Sequence, residues 1–140
     1  MNDEKALVDT NILVYAYAED SPKQARSEDI LERCLEGKTM LHIALQSIGE
    51  FCSVATRKYK IQPDAVDRVT RAILKSPHFV KLHYRKATFK RALNVAAGSS
   101  LRFWDAMLAA TMLEHDVAVI HTEDKGFGKV KGIKAVNPFK

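Results

Sequence analysis

Short apolar runs alternate along the chain with longer stretches in which apolar side chains return every three or four positions. The runs Ala6 to Val8, Met40 to Ala44, Phe79 to Leu82 and Val117 to His121 have strand length, and Ile133 to Val136 makes a weaker fifth. None alternates cleanly between apolar and polar, which is the pattern of strands covered on both faces. The stretches between them, Asn11 to Ala18, Pro22 to Leu35, Gln46 to Tyr59, Pro63 to Lys75, Lys86 to Ala97 and Arg102 to His115, read as helices. Ile30 with Cys34, and Val66 with Val69 and Ile73, show the spacing of helices that bury one face. Pro63 followed by Asp64 marks a helix start, and Gly37 and Gly98 mark helix stops.

Strands alternating with helices predict an α/β fold, a central parallel sheet of four to five strands flanked by helices on both sides and joined by right-handed crossovers. In such sheets function gathers beyond the carboxyl ends of the strands. With 140 residues and 46% apolar content, the chain is expected to form one domain over residues 1–140 without disulfides or structural metals. Cys34 and Cys52 belong to no CxxC pair or zinc set and are expected to be reduced core residues. The apolar run at the N-terminus is too short for a signal-peptide core or a membrane span, which makes a cytoplasmic protein without membrane contact the expectation.

The net charge of +5 hides an asymmetry: residues 1–50 hold ten acids and five bases, and residues 51–140 hold seven acids and seventeen bases. From Arg68 to Trp104 there are nine Lys or Arg residues and no acid, a footprint suited either to a nucleic-acid backbone or to a solvated basic face.

Four acids stand where apolar residues would be expected or where function should gather. Asp9 ends the first strand, and Asp124 lies three residues beyond His121, which closes the Val-Ala-Val-Ile-His run of the fourth. Asp105 sits in RFWDAMLAATML, a helix apolar around its whole circumference, so its carboxylate needs compensation from the helix N-terminus or from a bound cation. Glu50, in QSIGEFCSV, falls in the second turn of the helix after the second strand, where a partly exposed helical Glu is the plainer reading. Singly, each acid suits a cap or a solvated surface; brought together, they repel unless a metal neutralises them. Carboxylates without His or Cys partners suit magnesium, with manganese as a substitute, and such ions activate water against a phosphodiester. Thr10, Asn11 and Thr122, and less clearly Ser47, are placed to hold these carboxylates or a water.

The segments LVDTNILVY, QSIGEF, FWDAMLAATML and HTEDKGFGKVKGIKAVNPF, in this order, resemble PIN-domain nucleases, and within them the toxin subunits of VapBC-type toxin-antitoxin pairs. The resemblance covers essentially the whole chain. It implies a three-layer α/β/α fold and maps metal-binding and catalytic acids onto Asp9, Glu50, Asp105 and Asp124. It also implies cleavage of structured RNA such as transfer or ribosomal RNA, a cognate antitoxin as partner, and a homodimer.

Other features are weaker. GFGKVKG looks like a dinucleotide fingerprint but is one residue too long and precedes a strand, so it reads as a turn. Phe103 and Trp104 beside Asp105 are read as core aromatics rather than base-stacking groups. Tyr15 and Tyr17 fit either the core or a partner surface. The competing function is a non-catalytic RNA-binding or regulatory module; a phosphoacceptor receiver is disfavoured, because Leu82 and His83 stand where its Asp would end the third strand.

Overall fold

The computed structural model describes residues 5–18 and 21–140. Five strands, β1 (Ala6–Val8), β2 (Leu41–Ala44), β3 (Phe79–Leu82), β4 (Val119–His121) and β5 (Lys134–Val136), alternate with six α-helices among these residues. The helices are α1 (Thr10–Tyr17), α2 (Gln24–Leu35), α3 (Leu45–Lys58), α4 (Pro63–Lys75), α5 (Thr88–Ser99) and α6 (Phe103–Glu114), and a 3-10 turn spans Lys125–Lys129. No helix of the described residues is long and apolar enough to cross a membrane.

The strands form one sheet in the order β3-β2-β1-β4-β5, and every neighbouring pair is parallel. The chain moves outward from β1 through β2 to β3, then returns to set β4 on the other side of β1. The winding therefore reverses between β1 and β4, and the crevice outside the carboxyl ends of these two strands is where such sheets bind ligands.

Successive strand residues face opposite layers. Val8, Ile43 and Phe79 pack with Ile12, Leu31, Phe51 and Ile73 from α1, α2, α3 and α4. Leu7, Ala44, Leu82 and Ile120 pack with Leu108, Ala109 and Met112 of α6 on the other side. Ala92 of α5 covers Met107 and Ala110 on the far face of α6. Lying between the sheet and α5, α6 is buried at every position from Ala106 to Met112, which accounts for its lack of a polar face. Each fully buried large side chain, Ile120 or Phe51 for example, contributes about 1.5–3 kcal/mol.

Several details differ from the sequence pattern. Met40 is exposed and β2 begins one residue later. Val117 stays outside β4 because its N–H closes the end of α6 on the Met112 carbonyl at 2.9 Å. Turns precede the α2 and α5 helices, which start at Gln24 and Thr88 rather than at Pro22 and Lys86. Gly98 lies inside α5; the stop is Ser100, in the left-handed region at φ 63° with its N–H on the Ala96 carbonyl. Gly37, at φ +79°, does end α2 as expected. Cys34 is buried, but Cys52 is exposed on α3, its Sγ 3.4 Å from Thr70 Oγ1 on α4, because the face of α3 that carries it turns away from the sheet. Trp104 is likewise exposed, since the first turn of α6 projects past the layer that buries the rest of that helix.

Candidate active site

Asp9 leaves β1 at its carboxyl end, with its N–H on the His121 carbonyl at 3.1 Å, so the ladder to β4 runs one residue beyond the strand. Its carboxylate caps α1, Oδ1 accepting from the Thr10 N–H at 2.7 Å, while Oδ2 accepts from Thr122 Oγ1 at 2.8 Å. Burial pushes the Asp9 carboxyl up to about 6; the hydrogen bonds from Thr122 and Thr10 oppose the rise, and the negative charges of Asp105 and Glu50 add to it.

Thr122, buried just past β4, ties three segments together. Besides donating to Asp9, its hydroxyl accepts from the Asp124 N–H at 3.0 Å and, at 3.5 Å, from Asn11 Nδ2. Asp124 is exposed and starts the 3-10 turn, its Oδ1 accepting from the Gly126 N–H at 2.8 Å. A Cβ at Gly126 would stand 3.0 Å from that oxygen and 3.1 Å from Leu101 Cδ2, so a side chain there would press on the cap.

Asp105 lies in the first turn of α6. Burial raises its carboxyl, the Asp124 charge raises it further, and Arg102 works against both. Glu50, on the second turn of α3, is also raised, first by burial and then by the Asp105 charge, against a weak hydrogen bond from Gln46 Nε2 at 3.5 Å. The four sequence-predicted acids thus act on one another: Asp9 feels Asp105 and Glu50, Glu50 feels Asp105, and Asp105 feels Asp124.

Thr10 serves Asp9 through its N–H; its hydroxyl, with Asn11 Oδ1, Ser47 Oγ and Gln46 Oε1, is buried without a partner. Two residues were not singled out by sequence. Gln46 donates to the Trp104 carbonyl at 2.8 Å and so fastens α3 to the start of α6; its only sequence signal is the four-residue offset from Glu50. Glu123, between Thr122 and Asp124, turns away to pair with Lys23 and accepts from Tyr15 OH at 2.6 Å, which lowers its carboxyl. That contact holds Tyr15 half-buried and pushes its hydroxyl up to about 12.

Among the described residues no three His, Cys, Asp or Glu side chains stand as a preformed metal cage. Magnesium does not require one, since it keeps several waters and takes one or two carboxylates. Mutually repelling carboxylates, an all-oxygen donor set and unpartnered buried hydroxyls beside them fit a hydrated hard cation.

Residues 6–133 match the PIN domain family. The chain belongs to that family. Among curated proteins, this PIN domain is similar to ribonuclease VapC13 of Mycobacterium tuberculosis, 29% identical over 133 residues that cover 91% of this chain and 96% of the relative. A toxin-antitoxin complex from Klebsiella pneumoniae contains a chain of the same fold, with TM-score 0.68 at 22% identity over 96% of this chain and 98% of that one. VapC20 of Mycobacterium tuberculosis, described as a sarcin-ricin loop cleaving toxin, aligns with TM-score 0.69 at 14% identity over 89% of this PIN domain and 93% of its own chain.

Proposed function

We propose that the protein is a magnesium-dependent endoribonuclease, the toxin of a type II toxin-antitoxin pair, acting in the cytoplasm on structured RNA such as transfer or ribosomal RNA. The observation that supports it is that Asp9, Asp105, Glu50 and Asp124 lie near enough for their charges to raise the carboxyls of the first three, beside the edge where the sheet reverses its winding. VapC ribonucleases among the relatives, and toxin-antitoxin proteins among the structures of like fold, support the same reading, including an antitoxin partner; a homodimer is part of the proposal.

Asp9 and Asp105 are the principal ligands in this reading, with manganese as a substitute ion. When bound, the ion supplies positive charge to the phosphodiester and eases deprotonation of water. Thr122 and the Thr10 N–H keep the Asp9 carboxylate oriented, and the Gly126 N–H fixes Asp124. Glu50, raised by burial and by Asp105, positions the attacking water and takes its proton.

The test is incubation of the purified chain with total cellular RNA, with magnesium or with EDTA, followed by mapping of new ends. The expected outcome is discrete ends with magnesium, their loss in EDTA, and their loss in Asp9→Asn with the fold retained. Full activity of that variant would sink the reading. Salt-sensitive binding without new ends under any divalent ion would replace it by a non-catalytic RNA-binding module.

A further inference from the structure

Four aromatic rings meet at the surface where α6 begins. Between ring centroids, Tyr84 lies 5.6 Å from Phe89 and 5.9 Å from Trp104, Phe89 lies 5.8 Å from Phe103, and Phe103 lies 5.3 Å from Trp104. Phe103 backs the group and is half-buried, while Trp104 is 49% exposed, Phe89 40% and Tyr84 39%. Clustered exposed rings of this kind mark a binding surface, because a chain with no use for them gains by covering them.

The cluster is joined to the acidic edge. Trp104 directly precedes Asp105, and its carbonyl is held by Gln46, the same side chain that reaches Glu50. Between Gln46 and Tyr84, at the carboxyl ends of β2 and β3, lies a cavity of about 330 Å³ whose walls include Leu45 and His83.

Charge selects the occupant. Arg85, Lys86, Lys90 and Arg102 are exposed and each lies within two residues of a ring-bearing residue in sequence, within the stretch from Arg68 to Trp104 that holds no acid. A second copy docking the same face across a two-fold axis would bring two sets of these cations into one interface. A polyanion meets them favourably, and every nucleobase offers a flat face that stacks on an aromatic ring regardless of sequence.

We infer that Trp104, with Tyr84 and Phe89, is a stacking platform for an unpaired nucleobase in a single-stranded segment of the structured RNA, next to the bond to be cut, the neighbouring phosphates lying over Arg85, Lys86, Lys90 and Arg102. The inference rests on the ribonuclease reading for its polymer and adds how the strand is held.

Trp104 is the chain's one tryptophan, so fluorescence excited selectively at tryptophan, apart from the four tyrosines, reports this site alone. The full chain is titrated in EDTA with a single-stranded 2′-O-methyl oligoribonucleotide and with an abasic analogue of equal length. Saturable quenching by the first and several-fold weaker binding of the second are expected. Trp104→Ala should weaken binding about tenfold by fluorescence anisotropy of a labelled strand, Trp104→Phe should stay within about twofold, and Tyr84→Ala, in an exposed loop, should lie between. Circular dichroism establishes that each variant is folded. Unchanged tryptophan emission at saturating strand, or native affinity in Trp104→Ala, overturns the platform. So does a native dimer in sedimentation that Trp104→Ala converts to monomer, which would make this face an interface between copies. Failure of the ribonuclease reading shows separately, as magnesium-treated RNA without new ends, because quenching in EDTA needs no cleavage.

Discussion

Asp9 is held by two hydrogen bonds that favour its charge and by a burial that opposes it, and burial prevails. Its carboxyl moves from 3.8 up to about 6, so between those values the folded chain keeps a proton that the unfolded chain has released. The stability this group contributes is fully present below 3.8 and is lost as pH rises through about 6. In EDTA, the native chain should therefore lose about 1–3 kcal/mol relative to Asp9→Asn between acid and neutral pH. Paired melts at several pH values check this, and a pH-independent difference would contradict it. Magnesium at neutral pH should raise the melting temperature of the native chain by more than the variant's, because the variant has lost one of the two principal carboxylates.

Two glycines distinguish element ends from element interiors. Gly37 ends α2 at φ +79°, and a Cβ there would lie 2.9 Å from the His78 ring, so Gly37→Ala should cost about 1–2 kcal/mol in urea denaturation. Gly49, inside α3 with nothing within 4 Å of its absent Cβ, should gain about 0.5–1 kcal/mol as Ala in the same measurement. The apolar pattern marks β1, β3 and α4 to the residue, because buried runs and Pro63 set their ends. Asp9, Asp105 and Asp124 are equally legible, each being a charge beside an apolar segment. The exposure of Trp104 is not legible: a helix apolar on all sides carries no periodic face, and only its end relative to the layers decides which residues stay outside. Gln46 and the outward turn of Glu123 are hidden for a related reason, since each depends on a partner distant in sequence.

At the scale of the molecule, acids gather in the first third of the chain and bases in the remainder, yet the fold brings Asp9 and Glu50 beside the basic stretch through α6. RNA affinity should accordingly fall steeply with salt, and Lys86→Ala with Lys90→Ala should flatten the log–log slope by about 1–2. Filter binding at graded salt measures this, and an unchanged slope would place the phosphates elsewhere. Asp9→Asn should leave the slope intact. The pairing of β1 with β4 bears also on the order of assembly. The Thr122–Asp9 hydrogen bond joins residues 113 apart, and β1, a central strand, keeps one edge bare until β4 arrives. In a chain growing from the ribosome, Asp9 has its Thr10 contact but lacks its Thr122 partner until β4 and the residue after it have emerged. On the ribonuclease reading, a partly synthesised copy, lacking Thr122 and Asp124, is expected to be inactive, so that RNA near the site of synthesis meets only finished molecules.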